Sequence, residues 1–150
     1  MKFSEIEKSG VLYDQARLLR HRTFFLSLGL PVSILDDEFE MTSRHFAISN
    51  KRELLGCCRL SQSGSVFTIS QVVVSPSCRG QGLGATLIKR VISKAIELGA
   101  KRIDLSARES AISFYQYLGF NPVGEHYHSS TTGVQHIKMV LDSESHIEVI

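Results

Sequence analysis

Between residues 66 and 99 the chain changes character in a way that few folds accommodate. Residues 66–74 are a run of β-branched and apolar side chains broken only by Ser70 and Gln71, as expected of a long, largely buried central strand. Beyond Pro76 come Ser77, Cys78, Arg79, Gly80, Gln81, Gly82, Leu83 and Gly84. From Leu83 onward Leu87, Ile88, Val91, Ile92 and Ala95 recur at helical spacing until Gly99. The order is therefore strand, glycine-rich loop, helix. N–H groups in the first turn of a helix lack intrahelical partners and sit at the positive end of its dipole, so they bind anionic oxygens. Gly80, Gly82 and Gly84 permit unusual backbone angles and close approach by a phosphate, and Arg79 offers a charge-assisted contact. A ligand carrying a diphosphate is the expectation.

Gly80, Gly82 and Ala85 also satisfy the dinucleotide-binding pattern G-x-G-x-x-A, with Asp104 near the place of a ribose-binding acid. In that pattern the first glycine follows the strand almost at once. Here residues 75–79 intervene and Asp104 falls inside the next strand, so NAD is disfavoured. A turn that merely allows close helix packing is the competing reading, and three glycines in five residues argue against it.

Upstream, Leu12, Ala16, Leu19, Thr23 and Leu26 predict an amphipathic helix ended by Gly29 and Pro31. An acidic loop, residues 36–40, precedes a hairpin of strands 45–49 and 54–60 joined by the polar turn 50–53, and a second turn at 62–65 leads into the central strand. Downstream, 103–107 reads as a short strand, 109–118 as a short helix stopped by Gly119, and 120–127 and 134–141 as closing strands. Helices interrupt a sheet that cannot be all parallel, and the chain shows no internal repeat. At 150 residues, 43% hydrophobic and 21% charged, it fits one domain, residues 1–150, with one core.

Composition removes several functional classes. The formal charge is +2 and the 17 Lys and Arg are dispersed, so nothing resembles the basic footprint of a nucleic-acid binder. No apolar run reaches the ~18 residues of a membrane span, and the first ten residues lack the apolar core of a signal peptide. Cys57 and Cys58 are adjacent and the cysteine count is odd, which suits a reducing cytoplasm better than a disulfide framework. The tail, 143–150, ends in apolar residues that fit packing on a second copy in a homodimer as well as a frayed terminus.

Arg79, Gly82 and Gly84 match Q/R-x-x-G-x-G/A, and residues 111–120, Ala-Ile-Ser-Phe-Tyr-Gln-Tyr-Leu-Gly-Phe, match A-x-x-F-Y-x-x-L-G-F. In these two motifs the chain resembles the GCN5-related N-acetyltransferase family, and in residues 72–75, Ala107 and 133–139 it is similar to a bacterial ElaA-like subgroup. Arg20, Phe24, Pro31 and His45 sit where that subgroup has similar residues. The resemblance implies an α/β (α+β) fold with a mixed, mostly antiparallel sheet, a splayed parallel strand pair and helices on both faces. It implies acetyl-CoA as co-substrate, bound by Val72, Val73, Val74, Arg79, Gly80, Gln81, Gly82, Leu83, Gly84, Ala85, Arg108 and Phe114. Val72 to Val74 would act through the main chain, pairing with the pantetheine arm as an added strand does, their side chains being core. Arg108 stands where the family often has Asn, and Ser70 and Gln71 stand where many members carry a glutamate base.

Tyr115 matches the family's general acid, since a phenol keeps its proton at neutral pH and can donate to a leaving thiolate. Without the match, Phe114, Tyr115 and Leu118 would read as an apolar helix face. Tyr117 points elsewhere. The general base is unassigned among His45, Glu125, His126, His128 and His136, each of which also fits a structural or surface role. His126 and His128 share one strand face, but no acidic or cysteine pair completes a site, so no metal is expected. Cys78 is a loop thiol expected to be a bystander. Arg20, Arg22 and the acids of 36–40 flank the acceptor side by analogy and read by default as solvated charge. The activity implied is acetyl transfer to a primary amine by direct attack; the alternative is an acyl-CoA-binding or sensing module without a base.

Overall fold

The computed structural model describes residues 1–143, so the apolar tail from residue 144 onward lies outside the described residues. In chain order the elements are β1 (Lys2–Ile6), α1 (Val11–Phe24), β2 (Arg44–Asn50), β3 (Glu53–Ser63), β4 (Val66–Val74), α2 (Leu83–Glu97), β5 (Arg102–Arg108), α3 (Ile112–Tyr117), β6 (Asn121–His128) and β7 (Gln135–Asp142). The strands hydrogen-bond in the order β1-β2-β3-β4-β5-β7-β6, with β4 and β5 parallel and β1–β2, β2–β3, β5–β7 and β6–β7 antiparallel. This is the mixed, mostly antiparallel α+β sheet expected. The chain divides into two compact units, residues 1–61 with 70–91 and residues 62–69 with 92 onward; β4 and α2 each run through both. All six apolar stripe residues of α2 (Leu83, Leu87, Ile88, Val91, Ile92 and Ala95) are buried.

In the first unit α1 lays Ala16 and Leu19 on Ala47, Leu54, Cys57 and Val73, with Ile6, Leu12 and Phe24 closing the rim. The helix stops at Phe24, five residues before the expected glycine, because Phe25 turns inward to 8% exposure and a 3-10 turn, Leu26–Leu28, follows. That turn takes Leu26 out to solvent, so it is not part of the buried stripe. β1 was not evident in the sequence. Its five residues are half exposed, and it is fixed by pairing with β2 and by Phe3 stacked on Phe46 at 5.6 Å. Between β2 and β3 the register passes from Ile48↔Gly56 to Ser49↔Leu54, leaving Leu55 as an extra residue. Gly56 is needed for space: a Cβ there would stand 3.2 Å from the Val73 carbonyl oxygen.

In the second unit β5 buries Ile103, Leu105 and Ala107, β7 buries Ile137, Met139 and Leu141, and Phe67, Ile69, Leu118 and Phe120 are buried with them. β6 is an edge strand exposed along its whole length. Asp104 lies inside β5, bonded by Thr68 Oγ1 at 2.6 Å and facing Lys138 Nζ at 3.5 Å, so it is occupied within the sheet. Among the described residues no helix is long and apolar enough to cross a membrane.

Candidate active site

The end of β4 is shaped by a bulge. Gln71 has φ 50, a left-handed angle that costs a non-glycine residue about 1 kcal/mol or more. In a regular strand neighbouring side chains point to opposite faces. Here Ser70 accepts from Arg59 Nε at 3.2 Å and Gln71 accepts from Arg20 Nε at 2.5 Å, so two consecutive side chains serve the same charged cluster. The parallel register with β5 runs from Val66↔Arg102 to Thr68↔Asp104, short of the bulge, whereas β5 continues on β7 as far as Arg108↔His136. Beyond the bulge lie Val72, Val73 and Val74, of which only Val73 is a fully buried side chain.

Ser75 N–H donates to the Leu55 carbonyl at 2.8 Å, a 3-10 turn follows at Pro76–Cys78, and the loop opens. Gly80 and Gly82 have φ 81 and 75, and an added Cβ at either would meet no heavy atom within 4 Å. The glycines therefore answer a backbone requirement and leave the loop uncrowded. Gly84 lies inside α2. Thr86 N–H already donates to the Gly82 carbonyl at 3.1 Å, so the first-turn N–H groups are those of Leu83, Gly84 and Ala85, which helix geometry leaves without intrahelical acceptors. Gln81 is exposed beside them. Arg79 is also exposed, and its Nε donates to the Val74 carbonyl at 3.3 Å, tying the loop back to the strand. Cys78 is partly exposed, with Sγ 3.7 Å from Ser77 Oγ.

Two of the charges of α1 and the acidic loop, Arg20 and Glu40, are not solvated, contrary to the sequence expectation, whereas Arg22, Asp36, Asp37 and Glu38 are exposed as expected. Arg20 is 1% exposed and Glu40 2% exposed, and they form a two-pronged pair at 2.6 and 3.0 Å. Tyr13 OH donates to Glu40 at 2.6 Å, Arg59 reaches Glu40 and Asp37, and Arg17 pairs with Asp36 at 2.8 Å. The carboxylates Asp36, Asp37 and Glu40 are thus matched by the guanidiniums of Arg17, Arg20 and Arg59. Burial works to raise the Glu40 carboxyl, but hydrogen bonds from Arg20 and Tyr13 and the Arg20 charge hold it down to about 2. His45 is buried; its Nε2 donates to the Glu40 carbonyl at 2.9 Å, and burial lowers its pKa, keeping the imidazole neutral. Spacings of 20 and 51 residues between partners explain why sequence patterning could not reveal this cluster. Burial pushes the Cys57 thiol up to about 12 and raises Cys58 further, leaving both inert.

In the second unit β5 ends at Arg108, a 3-10 turn at Glu109–Ala111 follows, and α3 carries Phe114 and Tyr115. Tyr115 is buried, with its ring edge-on to Phe114 at 5.1 Å and to Phe120 at 5.9 Å, whereas Tyr117 is 79% exposed and on another face. Arg108 is half-buried and registers with His136 on β7. His136 Nδ1 donates to the Val134 carbonyl at 2.8 Å, which places a proton on Nδ1 and makes Nε2 the acceptor whenever the ring is neutral. Its ring stacks on Tyr127 at 6.1 Å, and Tyr127 OH bonds Ser106 Oγ. Glu125, His126 and His128 are exposed on β6. Among the described residues no group of three or more His, Cys, Asp or Glu side chains is arranged to hold a metal ion.

The structure thus groups Val72 to Val74 with Arg79, Gly80, Gln81, Gly82, Leu83, Gly84 and Ala85 in the first unit, and Arg108, Phe114 and Tyr115 in the second. Known proteins match on both levels. An N-acetyltransferase, ycf52, of Gracilaria tenuistipitata var. liui is 32% identical over 87 residues, 57% of this chain and 48% of that protein, so the match spans about half the relative's length. The crystal structure of Escherichia coli ElaA superposes with a TM-score of 0.80 at 26% identity, covering 95% of this chain and 100% of that one. An acyl-CoA N-acyltransferase of Pseudomonas aeruginosa gives 0.77 at 26% identity over 93% of this chain and 97% of its own. The model of the acetyltransferase (GNAT) family matches residues 14–120, and this chain belongs to that family.

Proposed function

We propose that this chain transfers an acetyl group from acetyl-CoA to a primary amine by direct attack of the amine on the thioester. The observation that carries the reading is the loop before α2, where two left-handed glycines present an uncrowded approach to the first-turn N–H groups of Leu83, Gly84 and Ala85. A diphosphate fits that cradle, and Arg79 and Gln81 stand beside it. Acetyl-CoA supplies an activated thioester. Val72 to Val74, beyond the point where the register with β5 stops, offers main-chain groups to an extended amide-bearing arm, and an N–H near Val74 polarises the acyl carbonyl. Arg108 and Phe114 complete the cofactor contacts.

Tyr115 holds the proton that the departing thiolate takes. The amine must lose a proton before it attacks, and Nε2 of His136 is the acceptor already in the right tautomer, facing Arg108 across the ladder and Tyr127 beside it. The Asp36, Asp37 and Glu40 carboxylates are engaged by arginines, so they are poorly placed to select a cationic acceptor. Free cysteines, two of them buried side by side, suit a cytoplasmic setting.

The test is release of free CoA thiol from acetyl-CoA in the presence of a panel of primary amines, small and peptidic, with acylated product confirmed by mass. Turnover with at least one amine is expected. Tight acetyl-CoA binding with no turnover on any amine would leave the chain a binding or sensing module.

A further inference from the structure

The two side chains of the β4 bulge are gripped by two arginines that converge on one carboxylate. Arg20 gives Nε to Gln71 at 2.5 Å and its terminal nitrogens to Glu40 at 2.6 and 3.0 Å. Arg59 gives Nε to Ser70 at 3.2 Å and Nη1 to Glu40 at 3.2 Å and to Asp37 at 2.9 and 3.1 Å. An ion pair buried this deeply loses much of its Coulombic gain to desolvation, and an apolar replacement is often as stable, so stability alone does not explain it. What the cluster does that apolar packing could not is hold a strand residue at φ 50 by its side-chain amide. Such a residue persists only where its surroundings over-determine it.

We infer that Arg20 and Arg59, locked on Glu40, are positioning residues: they fix the bulge at Ser70 and Gln71 and thereby set the main chain of Val72 to Val74 for the reacting acyl group. The inference rests on the function proposed above, with acetyl-CoA lying along that main chain. A bulge re-aims the strand beyond it, and misplacing reacting groups by about 1 Å costs up to about 10²-fold in rate.

Gln71→Gly separates grip from strain, because glycine accepts φ 50 freely and so spares the fold while losing the Arg20 contact. Ser70→Ala removes the Arg59 contact, and Ser70→Thr keeps a hydroxyl. Two readouts are taken on each: kcat and KM for acetyl-CoA, and amide hydrogen exchange from Val72 to Ser75, with Phe46 to Ile48 on β2 as reference. Gln71→Gly and Ser70→Ala are expected to speed exchange from Val72 to Ser75 at least tenfold without changing the reference. They are also expected to lower kcat about tenfold with KM within about threefold, and Ser70→Thr to restore both. Unchanged exchange overturns the inference whether or not kcat falls, since a kinetic loss alone would mean that the side chains act on substrate directly. Faster exchange with wild-type kcat overturns it too. Should the wild type neither bind nor turn over acetyl-CoA, the functional reading fails by itself, and exchange decides whether the arginines hold the bulge.

Discussion

In the mechanism we propose, Tyr115 and His136 carry opposite halves of the proton traffic, and the two are separable by experiment. Replacing Tyr115 with Phe keeps the ring contacts with Phe114 and Phe120 and removes only the hydroxyl, so kcat is expected to fall about 10²-fold with little change in acetyl-CoA affinity. Steady-state kinetics beside calorimetric binding checks this. His136→Gln is expected to lower kcat/KM about 10²-fold at neutral pH. The deficit should shrink towards pH ~10, where an alkylamine is already largely deprotonated, as a pH profile will read. Glu40 makes a thermodynamic prediction. Its carboxyl is held at about 2, below the ordinary value of 4.5, so the folded state gains stability that is complete above about pH 4.5 and is lost as pH falls towards 2. That contribution is on the order of 3 kcal/mol. Glu40→Gln should destabilise the protein by about 3–5 kcal/mol at pH 7, because Arg20 stays buried without its charge partner and Arg59 keeps only Asp37, and should flatten the acid dependence seen in denaturant titrations.

Among the elements, α2 and the loop before it were the most legible, because a 3.6-residue stripe and glycines at fixed offsets are local signals. All six stripe residues are buried, and Gly80 and Gly82 take the left-handed angles that only glycine adopts freely. The β4 bulge was not legible. It is made by Ser70 and Gln71 with no glycine to mark it, and its angle is enforced by Arg20, 51 residues away. α1 was read too long because Leu26 continues the spacing, although burying Phe25 turns the chain off the helix axis. The element contacts also expose one weak point. Gly56→Ala places a methyl 3.2 Å from the Val73 carbonyl oxygen, so β3 must push β4 at the residues proposed to face the cofactor. A loss of about 1–3 kcal/mol in thermal or chemical denaturation is expected, with weaker acetyl-CoA binding.

At the scale of the whole molecule, family membership and a mixed seven-stranded sheet agree with the sequence resemblance, while the acceptor is a property of the individual protein that a fold does not carry. The loop acids illustrate the limit. Read in sequence they were solvated charge by default, and in the structure Asp36, Asp37 and Glu40 are each paired with an arginine while Glu38 is exposed. An amine panel, rather than these charges, is the way to identify an acceptor. The central claim is narrower: the loop opening α2 binds acetyl-CoA through backbone N–H groups. Calorimetric titration with acetyl-CoA, with NAD as control, on the wild type and on Gly82→Val tests it most directly, since a β-branched residue cannot hold φ 75 without strain. Micromolar binding of acetyl-CoA but not NAD, lost by at least tenfold in a Gly82→Val protein that still unfolds cooperatively, is the predicted result; no binding by folded wild type, or equal binding by the variant, would contradict it.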